Sequence, residues 1–275
     1  MSAATDVRYL VFDVESVADG DLIARARYKS DTMQAGDAIE EFRSDLVNEG
    51  GKDFIPYTFQ MPVAVVIAKV SADLELLDLV SLDEPLHRPH VITQHFWRGW
   101  QAYKQPTWVT FNGRGFDIPL MELAAFRHGI QLPEWFNMSA RTYDQNRNRY
   151  NMKSHIDLHE VLTNFGSTWF RGGLNLAANL VGKPGKMVVA GNMVQGLYEQ
   201  GELQTISDYC RCDVLDTYFV FLRFNVISGR IDVTREQELV AKAKQFIVER
   251  ADDCQAYADY LEGWGEWENP WTAGT

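Results

Sequence analysis

The stretch Tyr9-Leu10-Val11-Phe12-Asp13-Val14-Glu15 decides how this 275-residue chain is read. A short apolar run, rich in β-branched and aromatic residues, predicts a buried strand over 8–13, and two carboxylates close it. Side chains two apart on a strand share a face, so Asp13 and Glu15 point the same way. Like charges held side by side repel, and burying them without a counter-charge is expensive. A bound cation, or full solvation at the strand end, relieves such a pair. A single Asp-x-Glu is common, so its meaning depends on whether further acids arrive at suitable places.

Beyond this strand, residues 19–53 turn polar and charged, an excursion from the core that reads as a cover over the site, with a short amphipathic helix expected at 38–47. Residues 61–70 read as a second strand and 74–82 as its hairpin partner. A helix is expected at 95–103 and a short buried strand at 108–111. The Gly-containing turn Asn112-Gly113-Arg114-Gly115-Phe116-Asp117 then enters a helix over 118–128, where Pro119 falls in the first turn and costs no hydrogen bond. Asp117 has a plain reading there as a first-turn acid. His155-Ile156-Asp157-Leu158 leads towards a helix ending near Phe165. Further helices are expected at 174–181, 193–200, 203–225 and 234–261. Strands alternating with helices after an initial hairpin predict an α/β domain with a mixed sheet. The expected division is one domain over 1–230, with a C-terminal helix and acidic, Trp-rich tail over 231–275 packed on it.

The late helix contains Tyr209-Cys210-Arg211-Cys212-Asp213, in which Tyr209 and Asp213, four apart, share a face. Asp13, Glu15, Asp117 and Asp213 together supply enough hard oxygen donors for two divalent cations, an arrangement suited to in-line phosphoryl displacement. Three segments carry a resemblance: Asp13-x-Glu15, Asn112-x3-Phe116-Asp117 and Tyr209-x3-Asp213. In order and spacing they resemble the motifs of the DEDD superfamily of 3′–5′ exonucleases, in its tyrosine variant. The second motif looks most like the proofreading domain of family B DNA polymerases. His155-Ile156-Asp157-Leu158 and Pro184-Gly185-Lys186 are similar to the predicted polymerase-B-like exonucleases of bacteria. The resemblance covers roughly residues 8–225.

That resemblance implies a ribonuclease-H-like fold, a mixed central sheet flanked by helices. It also implies a two-metal mechanism with Mg²⁺ or Mn²⁺. Asp13, Glu15 and Asp213 would hold one metal, Asp13 and Asp117 the other, and Tyr209 would orient the attacking water. A phenol titrates near pH 10 when unperturbed, so positioning suits it better than proton abstraction. Asn112 and Phe116 would contact the terminal nucleotide, Ser16 and Val17 would meet the 3′ end through backbone groups, and Lys186, Arg147, Arg149 and Arg171 are candidates for tracking the strand. Cys210 and Cys212 read as inert thiols and Asp157 as a structural acid.

The net charge of −12 does not suggest a protein that coats nucleic acid electrostatically, and it is compatible with one that grips a few nucleotides through bound cations. Three cysteines argue against a disulfide framework. Without a membrane-length apolar stretch or a signal-peptide pattern at its start, the sequence is expected to be cytoplasmic. The expected activity is 3′–5′ hydrolysis of single-stranded DNA ends, with an exoribonuclease or a non-catalytic nucleic-acid-binding module as rivals. The Trp-rich tail leaves room for a protein partner.

Overall fold

A computed structural model describes residues 7–185 and 193–271; the expected contact at Lys186 falls outside them. The central strand β1 (Val7–Ala18) is longer than its apolar run. Its two faces explain the run: Tyr9, Val11 and Val17 enter one core, and Leu10, Phe12 and Val14 enter another. A strand buried on both sides carries continuous rather than alternating apolar residues. It pairs antiparallel with β2 (Gln60–Ser71), which pairs antiparallel with β3 (Leu76–Ser81). On its other side lie, in parallel, β4 (Thr107–Thr110) and β5 (His155–Asp157). The order β3-β2-β1-β4-β5 makes a mixed five-stranded sheet. With helices on both faces it is the ribonuclease-H-like architecture that the sequence leads one to expect.

Helices α1 (Gly20–Ala26) and α2 (Ala35–Asn48) form a lobe between β1 and β2, with a small core of its own built on Ile23, Ala38, Ile39, Phe42 and Ile55. α1 was not expected. Its N-terminus is held by Asp19, whose carboxylate accepts from the Leu22 amide (3.0 Å) and pairs with Arg127. Helices α3 (Pro89–Ala102) and α4 (Asp117–His128) cover one face of the sheet, where Phe12, Phe96, Trp97, Trp100 and Trp108 interlock. α5 (Leu158–Leu162), α6 (Gly173–Leu180) and α7 (Val194–Glu199) follow. The 25-residue α8 (Leu203–Ile227) crosses the opposite face with Leu215, Phe219 and Leu222 buried in the larger core.

The single helix expected over 234–261 is instead two, α9 (Val233–Val248) and α10 (Gln255–Glu262). The break contains Asp252-Asp253, residues that favour turns over helix interiors. Beyond α10 the tail folds back. Trp264 lies 4.0 Å from the Lys183 ammonium and packs on Phe219, and the Arg223 guanidinium lies over Trp267. The tail passes so close to Gly182 that a Cβ there would meet the Trp267 amide at 2.7 Å. Trp271 stays exposed. No described helix is long and apolar enough to cross a membrane.

Candidate active site

β4 pairs with β1 only as far as Val11, so among the described residues no strand pairs with the carboxyl half of β1 on that side. Into this opening come the chain segments that leave the carboxyl ends of β4 and β5, the usual place for a site in a parallel arrangement. Asp13 and Glu15 lie on the β1 face that α8 covers. α4 begins at the opening with Asp117, which is buried and hydrogen-bonds the Val14 backbone. α8 brings Tyr209 and Asp213, and the Tyr209 hydroxyl hydrogen-bonds the Asp213 side chain. The four expected acids and the tyrosine therefore converge from one strand and two helices.

The carboxylates of this cluster are buried and crowd one another. Asp13 is pushed up to about 6, chiefly by burial. Glu15 is held well above the usual carboxylate range by burial and then by Asp13, Asp213 and Asp117. Asp117 is raised by burial and by Asp13 and Asp157. Among the described residues, no Lys or Arg offsets Asp13, Glu15 or Asp117. Burial, Asp213 and Glu15 also push the Tyr209 phenol upward, so it stays a hydrogen-bond donor. A mutually repelling set of buried oxygen donors fits hard divalent ions.

Two residues read as bystanders hold places at the site. Cys210 donates through its thiol to the Asp13 carbonyl (3.4 Å) and carboxylate (3.7 Å), and one donor atom each from Asp13, Glu15 and Cys210 lie within 4.8 Å of one another. Its signal was the three-residue spacing to Asp213, which puts both on one helical face. Cys212 instead faces α10, donating to the Ala256 carbonyl. Asp157 is only 3% exposed, and its carboxylate accepts four backbone amides. Those of His159 (3.0 Å) and Glu160 (3.3 Å) cap α5, and those of Asn112 (2.9 Å) and Arg114 (2.9 Å) fix the turn that precedes Asp117. The same turn needs Gly113, where a Cβ would stand 2.6 Å from Thr110.

The remaining candidates divide. Asn112 is exposed, with a φ of 68° that Asn tolerates better than most residues. Phe116 is half-buried, its ring 6.0 Å from Phe54 and 6.4 Å from Tyr57. The Ser16 hydroxyl donates to Gln60, whereas the Val17 side chain is core. Arg147 makes a bidentate pair with Glu122, and Arg149 pairs with Glu160, so both brace the 141–153 loop; Arg171 is exposed.

The model of a family described as predicted 3′–5′ exonucleases related to the exonuclease domain of PolB matches residues 52–264. The chain belongs to that family. No curated protein matches it. The family match takes in Asp117, Tyr209 and Asp213 and begins after Asp13 and Glu15. The link between the exonuclease-family segment and the first two acids is thus the sheet itself, in which β2, inside the match, pairs with β1 across Asp13↔Val66 and Glu15↔Ala64.

Proposed function

We propose that the protein is a metal-dependent 3′–5′ exonuclease that hydrolyses phosphodiester bonds at the 3′ ends of single-stranded nucleic acid, DNA in preference to RNA. The observation that carries the proposal is the convergence of Asp13, Glu15 and Asp117, which no Lys or Arg offsets among the described residues, with Asp213 and Tyr209 of α8. Asp13, Glu15 and Asp213 would hold one divalent ion, and Asp13 and Asp117 a second. Mg²⁺ or Mn²⁺ bound there would supply charge neutralisation and Lewis acidity at the phosphodiester.

The chain's own residues do the positioning. Tyr209, tied to Asp213 and kept protonated, orients the attacking water by hydrogen bonding and does not abstract its proton. Asp157 sets the turn from which Asp117 projects. Phe116, one residue before Asp117, offers a ring for the terminal nucleotide, a contact that every base can make.

The test is degradation of a 5′-labelled oligonucleotide in Mg²⁺ or Mn²⁺. Wild type should shorten it stepwise from the 3′ end, and Asp13→Ala or Asp213→Ala should abolish this. A wild type inactive on both DNA and RNA refutes the proposal, and equal rates on matched DNA and RNA refute the DNA preference.

A further inference from the structure

A cleft of about 230 Å³ opens beside the last residues of β1, between that strand and the α1–α2 lobe. Ser16, next in the chain after Glu15, lines it, as do Arg43 of α2 and Phe54 of the segment that returns to β2. None of the three motifs contains Arg43 or Phe54, and Arg43 precedes the family match, which begins at residue 52.

Three features distinguish these residues from ordinary surface. Arg43 makes no ion pair or hydrogen bond with any described residue, although Asp53 lines the same cleft. Arg114, Arg127 and Arg147, by contrast, are paired with Glu160, Asp19 and Glu122. Phe54 is 62% exposed, yet its ring lies against Phe116. A lone exposed Phe needs no explanation, but one that prolongs an aromatic surface from the residue beside Asp117 into a cleft does. Finally, the lobe that carries them is anchored: Ala38, Ile39 and Phe42 of α2 are buried in its core, so Arg43 sits on a fixed helix.

We propose that Arg43 and Phe54 position the 3′-terminal segment of the substrate, Phe54 by stacking on a base and Arg43 by contact with a backbone phosphate. The assignment rests on the exonuclease reading of the adjacent acids. It gives the excursion between β1 and β2 a role: it forms the wall of the cleft that faces the strand entering the site. A phosphodiester carries one negative charge, which an unpaired guanidinium can match in a fork geometry. Phe54 and Phe116 would present a platform indifferent to base identity, as an exonuclease requires.

Binding of a 5′-fluorescein-labelled single-stranded oligonucleotide, followed by anisotropy in EDTA, tests this without activity. Phe54→Ala should weaken binding roughly ten-fold, and Phe54→Trp should restore it. Arg43→Gln should lower the magnitude of the slope of log affinity against log salt by about 0.7, the value for one phosphate contact on a single strand, while Arg43→Lys keeps it. With metal, both weakened variants should show a raised KM and a smaller change in kcat. If wild type binds and shortens the oligonucleotide and the variants match it in affinity, salt slope and KM, this proposal alone falls. If wild type neither binds nor degrades any oligonucleotide, the exonuclease reading falls and takes this one with it.

Discussion

Asp157→Asn separates a residue that positions the site from one that binds its metal. The Asp157 carboxylate divides its four acceptors unevenly: Oδ1 takes the amides of Asn112, His159 and Glu160, and Oδ2 takes that of Arg114. An Asn can keep its oxygen on the first three only by turning its NH₂ towards the Arg114 amide, donor against donor. One hydrogen bond to a charged group is lost outright, at about 1.5–3 kcal/mol, and the other three weaken with loss of the charge. A total near 3 kcal/mol, at roughly 2–4 °C per kcal/mol for a domain of this size, lowers Tm by about 6–12 °C. Because the Asn112–Asp117 turn hangs on these bonds, Asp117 shifts, and a displacement of about 1 Å can cost on the order of 100-fold in kcat. Thermal melts and single-turnover degradation of a labelled oligonucleotide read the two effects. A Tm within about 1 °C of wild type with unchanged kcat would refute the positioning argument. Loss of Mn²⁺ binding with an unchanged Tm would show Asp157 to be a ligand instead.

Other outcomes follow from the same geometry. In the metal-free protein, Asp13 titrates near 6, above an ordinary carboxylate, so the folded state binds the extra proton between about pH 4 and 6. The stability this confers is present at low pH and lost as pH rises through 6; in EDTA, wild type should therefore lose Tm over this window relative to Asp13→Asn, and an identical pH dependence would contradict the sign. Glu15→Gln removes one of the mutually repelling charges and should raise Tm in EDTA at pH 7.5 while abolishing activity; a lower Tm would count against the crowded-acid account. Gly113→Ala drives a methyl into Thr110 and should cut kcat at least ten-fold with a lower Tm, whereas a fully active variant would show the turn to be slack. Trp264→Ala should cost about 2 kcal/mol in denaturant melts by freeing Lys183 and exposing Phe219, without changing kcat; an unaltered midpoint would mean the tail is only loosely docked.

The strand run at 8–13, the β2–β3 hairpin and the long helix through Tyr209 and Asp213 were legible because each carries a strong apolar pattern. Three segments were not. β5 has three residues, too few to show any period, and is specified by its pairing with β4. α1 is a seven-residue helix signalled mainly by its Asp19 cap. The α9–α10 break rests on two aspartates within an otherwise helical stretch. At the candidate site, the grouping of the acids with Tyr209 was expected from the three motifs and their resemblance, whereas the inward aim of Cys210 and the four bonds of Asp157 depend on which elements meet in space. Arg147 and Arg149 illustrate the converse: their charge suggested phosphate, and the fold spends it on Glu122 and Glu160.

Calorimetric titration of Mn²⁺ into the purified protein tests the central claim, that these converging acids are a divalent-metal centre. Wild type should bind two ions per chain. Asp13→Asn, which removes charge from the carboxylate shared by both proposed sites, should weaken both. Absence of binding by wild type, or an Asp13→Asn titration superimposable on it, would contradict the account.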